Sequence, residues 1–196
     1  MIAYMEDIKN EIYSNEDYDK FKKKKSIGNE VLEWLESIAV SIFVVILIFT
    51  FAFRIVVVDG ESMLPTLEDG QRLIISHLFY TPKQGDIVVV NSQELNKTII
   101  KRVIATEGQT IDIDIAAHTV TVDGKVLDEP YTNEGYMLSD GGGSYPMVVP
   151  DGKIFVMGDN RNHSTDSRVI GFVSTEDVLG KAFLRIYPFN SFGFLK

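Results

Sequence analysis

From Ser37 to Phe53 the chain runs for 17 residues without a charge, SIAVSIFVVILIFTFAF. A helix over this run is roughly 26 Å long, a little under the ~30 Å hydrocarbon core of a bilayer. Val31, Leu32, Trp34 and Leu35 extend it on the amino side, and Trp34 suits a membrane interface. Arg54 can snorkel at the far end. A buried core helix is one rival reading. The run has no polar face beyond Ser and Thr, which is hard to place in a small soluble domain. A cleaved signal peptide is the other. Its charged region would span 36 residues, and Arg54-Ile55-Val56-Val57-Val58 stands where a small-x-small cleavage site belongs. The run therefore reads as an uncleaved transmembrane anchor over residues 37–54. Lys20, Lys22, Lys23, Lys24 and Lys25 precede it, and the positive-inside rule then places residues 1–36 in the cytoplasm. Residues 55–196 are expected to be extracytoplasmic. Ser26-Ile27-Gly28-Asn29 reads as a break, with Asn29 capping a helix that starts at Glu30.

Charge and cysteine content narrow the function. The formal net charge is −9, which argues against a nucleic-acid partner. There is no cysteine, so disulfides, zinc-thiolate sites and a cysteine nucleophile are all out of reach. His77, His118 and His163 have no metal-ligand spacing, and no metal is expected. His77 and His118 read as ordinary strand residues.

After the anchor the hydrophobic period changes to two. Strands are predicted at 72–77, 85–90, 98–105, 110–115, 119–122, 125–127, 153–157 and 182–187. Asp123-Gly124 between two short runs marks a hairpin. Ser174-Thr175-Glu176-Asp177 resembles a capping box for one short helix, and Gly141-Gly142-Gly143-Ser144 reads as a mobile loop. Many short strands with turns between them predict an all-β domain behind the single anchor helix.

Three segments hold candidate chemistry. In Gly60-Glu61-Ser62-Met63-Leu64-Pro65, glycine and proline constrain the backbone on either side of a serine, and such a bend can present the hydroxyl outward. A plain surface turn fits the same residues. In Thr98–Ala105, alternation places Lys101 with Ile99, Val103 and Ala105, and places Arg102 with Ile100 and Ile104. A lysine on an apolar face is either an edge residue with its head in water or a desolvated amine. Desolvation lowers the pKa and makes the amine a usable base. The third segment, Gly158–Arg168, is dense in hydrogen-bonding side chains and lacks a calcium-loop pattern. A Ser-His-Asp triad is formally possible, because sequence order does not restrict it.

Taken together, these segments resemble the bacterial type I signal peptidases, membrane-anchored serine proteases with a Ser-Lys dyad. The serine box matches Gly60-x-Ser62-Met63-x-Pro65-Thr66-Leu67, and the next box Gly85-Asp86-Ile87-Val88-Val89. The lysine box matches Lys101-Arg102-Val103-Ile104. The last box matches Gly158-Asp159-Asn160-Arg161-x-x-Ser164-x-Asp166-Ser167-Arg168-x-x-Gly171. The four boxes stand in order behind the anchor, with the short spacing of compact Gram-positive-type members. The family often has Asp-Asn where this chain has Asn162-His163. Some members carry a serine at the position of Gly60, whose hydroxyl helps the oxyanion hole.

The resemblance implies an all-β peptidase domain over 55–196, with a coiled-β fold shared with self-cleaving Ser-Lys repressors. It implies Ser62 as nucleophile and Lys101 as general base, with backbone oxyanion donors at Gly60 and Ser62. Ser164 would orient the lysine, and Asp166, Arg168, Asp159 and Arg102 would support the site. No cofactor is implied. The partners would be the signal peptides of secreted preproteins, small at −1 and −3, and the lipid bilayer. A repressor would need a helix-turn-helix domain where the anchor stands. The remaining alternative is a catalytically silent, membrane-anchored β-domain that binds a partner.

Overall fold

The computed structural model describes residues 15–195. Residues 1–14 of the predicted cytoplasmic segment, and the side chains of Lys22–Lys25, lie outside what is described. Helix α1 spans Asn15–Ala52. It passes through 26–29 without the expected break, and Asn29 is not a cap. A glycine costs about 1 kcal/mol against alanine inside a helix, and good helix formers flank it on both sides. Extending an existing helix is easier than nucleating a new one. Within α1, the 24 residues Asn29–Ala52 are long and apolar enough to cross a membrane, and their apolar side chains are exposed up to Phe51, Ala52 being buried.

The helix ends two residues before the predicted limit of the anchor. Phe53 and Arg54 instead open strand β1, Phe53–Val57. The strands that follow are β2 Arg72–Ser76, β3 Ile87–Ser92, β4 Lys97–Thr106, β5 Thr110–Asp114, β6 Thr119–Val122, β7 Lys125–Val126, β8 Met147–Val148 and β9 Lys153–Met157. Helix α2 is Ser167–Ile170, followed by β10 Val173–Ser174, β11 Val178–Tyr187 and β12 Gly193–Phe194. The domain after the helix is thus all-β apart from single helical turns.

An eight-stranded sheet has the order β1-β2-β11-β3-β4-β9-β10, with β12 added to β11. A four-stranded sheet has the order β7-β6-β5-β8. All pairings are antiparallel. Strand β4 lies between β3 and β9, with Val88 opposite Lys101 and Met157 opposite Arg102. Its residues 99–105 are all buried, so the strand is covered on both faces. Strand β11 begins four residues before its predicted start. Gly180 at φ 151° sits where the register shifts against β3, and a Cβ there would overlap the Ser76 carbonyl.

The Asp123-Gly124 hairpin forms as predicted, joining β6 to β7 with both residues at positive φ. Ser174 accepts a hydrogen bond from Glu176 N, but the helix it caps is a single 3₁₀ turn, Thr175–Asp177. His118 lies in a turn at φ 56°, and His77 just beyond β2, so neither is a strand residue. The glycine loop packs at Gly141 against the Arg168 backbone, where a Cβ would overlap the carbonyl.

Candidate active site

The serine box folds into a turn tied down by its own apolar residues. Leu64 N donates to Glu61 O at 3.1 Å, and Leu67 N to Met63 O at 2.9 Å. Met63 and Leu67 are fully buried in a cluster with Val58, Leu73, Ile87 and Ile100. These two plugs leave Ser62 half-buried at the surface of the cluster. Gly60 takes φ 86°, a left-handed conformation that suits glycine.

Lys101 comes from the middle of β4, so the edge-lysine reading does not apply. Its side chain is 3% exposed. The Nζ donates to Ser62 Oγ at 2.7 Å and to Ile100 O at 3.1 Å. Among the described residues it has no ion-pair partner. Burial lowers its pKa from 10.5 to about 8; Asp166 and Asp159 oppose the shift, while Lys97 and Arg168 add to it.

Arg102, next in the strand, points to the opposite face. It meets Asp159 through Nε to Oδ1 at 2.9 Å and Nη2 to Oδ2 at 2.7 Å, and its Nη1 donates to Gly85 O. The guanidinium lies 3.9 Å from the Tyr131 ring centre. Thr66 Oγ1 donates to the same Asp159 carboxylate. One buried ion pair therefore ties the serine box, the lysine box and the last box together.

Asp166 and Arg168 form a second buried pair, with Nε to Oδ1 at 2.9 Å and Nη2 to Oδ2 at 2.8 Å. Asp166 also caps α2 and accepts from Gly158 N. Arg168 Nη2 donates to Arg161 O, and its Nη1 to Ser139 O.

Two expectations are corrected. Ser164 makes no hydrogen bond to Lys101; its buried Oγ has no partner. Gly158 brings the backbone so close that a Cβ there would overlap both Ser164 Oγ and the Ser62 carbonyl. The lysine is held instead by the carbonyl of Ile100, its own neighbour in the strand. The Gly60 N–H is not a free oxyanion donor either, since it is spent on Asp69 Oδ1 at 2.8 Å.

Ser62 and Lys101 line a cleft of about 450 Å³. One wall is residues 56–63, and another is the start of β4 over 97–101, with His163 and Thr165 at the side. Sequence reasoning missed Thr66, Asn160 and Gly158 as individual parts, although all three stand inside quoted boxes. It also missed Asp69 and Glu129, which carry no local signal. Glu129 accepts from Arg161 Nη1 at 2.8 Å.

The family described as signal peptidase, peptidase S26, matches residues 31–187. The chain belongs to this family. It is similar to signal peptidase I T of Bacillus subtilis, 36% identical over 90% of this chain and 94% of that protein. It is also similar to signal peptidase IB of Staphylococcus aureus, 34% identical over 83% of this chain and 93% of that protein. A solved signal peptidase I from Enterococcus faecalis aligns with 52% of this chain and 97% of its own, at 30% identity and a TM-score of 0.45.

At the two positions where this signal peptidase family member departs from the usual Asp-Asn, the side chains have separate surroundings. Asn162 holds residues 134–138 by accepting from Leu138 N and donating to Tyr136 O and Glu134. His163 is exposed at the cleft, with Nε2 4.0 Å from the Glu134 carboxylate.

Proposed function

We propose that this chain is a membrane-anchored serine endopeptidase that removes N-terminal signal peptides from preproteins. The observation that carries the reading is the 2.7 Å contact between a buried lysine amine and a serine hydroxyl in one cleft. Neutral Lys101 takes the Ser62 proton as Oγ attacks the scissile carbonyl, and the Ser62 N–H supports the oxyanion. Protonated Lys101 then passes the proton to the leaving amine. The same lysine activates a water, which attacks the acyl-enzyme and releases Ser62. The Arg102–Asp159 and Asp166–Arg168 pairs hold the three boxes in place.

The amino terminus is cytoplasmic and the β-domain extracytoplasmic, as the lysine cluster directs. A bilayer partner is supported by the face of the large sheet on which Ile55, Ile74, Leu184 and Phe194 stand in register across four strands. Ile55 is 64% and Phe194 78% exposed, and the strand bearing Ile55 continues directly from α1.

The test is incubation of the purified full chain in detergent with a secretory precursor, followed by amino-terminal sequencing of the product. Cleavage after a small residue that disappears in Ser62→Ala is the expected result. An intact precursor with wild-type protein would leave the partner-binding alternative standing.

A further inference from the structure

The Ser62 turn is gripped from the protein side by one residue that no role has yet been given. Asn160 is 2% exposed and does not line the cleft. Its backbone N donates to Ser62 O at 3.1 Å, and its Nδ2 donates to Glu61 O at 3.1 Å. It thus holds two successive carbonyls. The Glu61–Ser62 peptide is trans, because the cis bonds lie elsewhere. In a trans peptide the C=O and N–H point in opposite directions. With Glu61 O turned toward Asn160, the Ser62 N–H must point away from Asn160, toward the cleft side. No acceptor among the described residues takes that N–H.

The preceding peptide is set by a different side chain. Asp69 Oδ1 accepts from Gly60 N, next to the backbone bonds Val58 N to Gln71 O and Gly70 N to Val58 O. Gly60 N–H is therefore already occupied by the Asp69 carboxylate. Ser62 N–H, on the nucleophile itself, has no acceptor among the described residues, and its direction becomes decisive.

We infer that Asn160 and Asp69 are positioning residues that fix the Glu61–Ser62 peptide so that the Ser62 N–H faces the reacting carbonyl. The inference rests on the peptidase reading above. Neither residue touches substrate. Their contribution appears when negative charge develops on the carbonyl oxygen, so it falls on kcat rather than on substrate binding.

The experiment compares wild type with Asn160→Ala, Asp69→Ala and Asp69→Asn, each as the full chain in detergent. Cleavage of a leader peptide gives kcat and KM. Inhibition by the matching peptide aldehyde, whose hemiacetal oxygen stands in for the oxyanion, gives a second readout. Asn160→Ala is expected to lower kcat about 10²-fold, the loss typical of one oxyanion donor, with KM little changed. Aldehyde affinity should fall in parallel. Asp69→Ala should act in the same direction, and Asp69→Asn, which keeps an acceptor oxygen, should fall less. Asp69 is exposed, so its variants fold even if Asn160→Ala does not.

Unchanged kcat and unchanged aldehyde affinity in folded Asp69→Ala and Asn160→Ala, beside an active wild type, would overturn the inference alone. Failure of wild type to cut any leader peptide would instead remove the peptidase reading. The inference would then be judged on a crystal structure of Asn160→Ala, and a Glu61–Ser62 peptide in its original orientation would overturn it.

Discussion

Lys101 Nζ reaches Ser62 Oγ at 2.7 Å while its other contact is the uncharged carbonyl of Ile100. The amine is therefore positioned without a touching carboxylate. A direct ion pair would favour the ammonium and raise the pKa, which would oppose its use as a base.

Removing either partner of this contact should abolish cleavage. Ser62→Ala and Lys101→Ala are each expected to be about as damaging as the double variant, because the two act as a unit. Lys101→Arg should also be inactive, since a guanidinium stays protonated. The check is a precursor-cleavage assay on detergent-purified variants. Turnover by Lys101→Arg would contradict a lysine base.

The pH profile follows from the lowered pKa. If neutral Lys101 is the active form, kcat/KM should rise with pH through about 8, the value to which burial brings this amine. A solvated lysine would place the rise near 10.4 instead. Initial rates between pH 6 and 10.5 distinguish the two.

The same burial has a stability cost of predictable sign. The folded state releases the Lys101 proton near pH 8, whereas the unfolded chain holds it to 10.5. Below pH 8 the buried ammonium destabilises the fold by the full amount, and the penalty disappears as pH rises from 8 to 10.5. Lys101→Met should therefore have a higher Tm than wild type at pH 7, with the difference shrinking across that window. Thermal melts at pH 7, 9 and 10.5 measure it. A Met variant less stable than wild type at pH 7 would mean that the contacts to Ser62 and Ile100 outweigh the burial cost.

Gly158 should not tolerate a side chain. A Cβ there overlaps the Ser62 carbonyl and Ser164 Oγ, and the carbonyl belongs to the turn that carries the hydroxyl. Gly158→Ala is expected to displace Ser62 from Lys101 and lower kcat by roughly 10²-fold, the scale of a 1 Å misplacement. A lower Tm should accompany it. Kinetics and a melting curve on one preparation test both.

Topology can be read by protease protection. In intact cells, protease added from outside should digest the chain beyond Arg54 and spare the part before Ser37. Protection of the β-domain until the membrane is broken would reverse the proposed orientation.

The sequence by itself determined the features that depend on local pattern. An uncharged run of membrane length, a change of period from 3.6 to 2, and the Asp123-Gly124 turn are each written within a few residues. The resemblance of the four boxes to the signal peptidases likewise pointed to Ser62 and Lys101. For Asp166 the sequence offered two partners, Arg168 and Arg161; packing gave it Arg168 and sent Arg161 to Glu129. Tertiary structure decided everything that depends on distant partners. Whether Lys101 is dry could not be read from its own strand, because the answer lies in β4 being an interior strand between β3 and β9 whose residues 99–105 are buried on both faces by distant parts of the chain. Strands β8, β10 and β12 are two residues long and exist only because a longer neighbour offers its edge. Ser164 stands two residues before Asp166, yet its hydroxyl lies against Gly158 and makes no hydrogen bond to the lysine. The bonds from Asn160 to Glu61 and from Thr66 to Asp159 join residues more than 90 positions apart. Hydrogen-bond partners are fixed by direction over about 3 Å, and only the packed chain sets those directions.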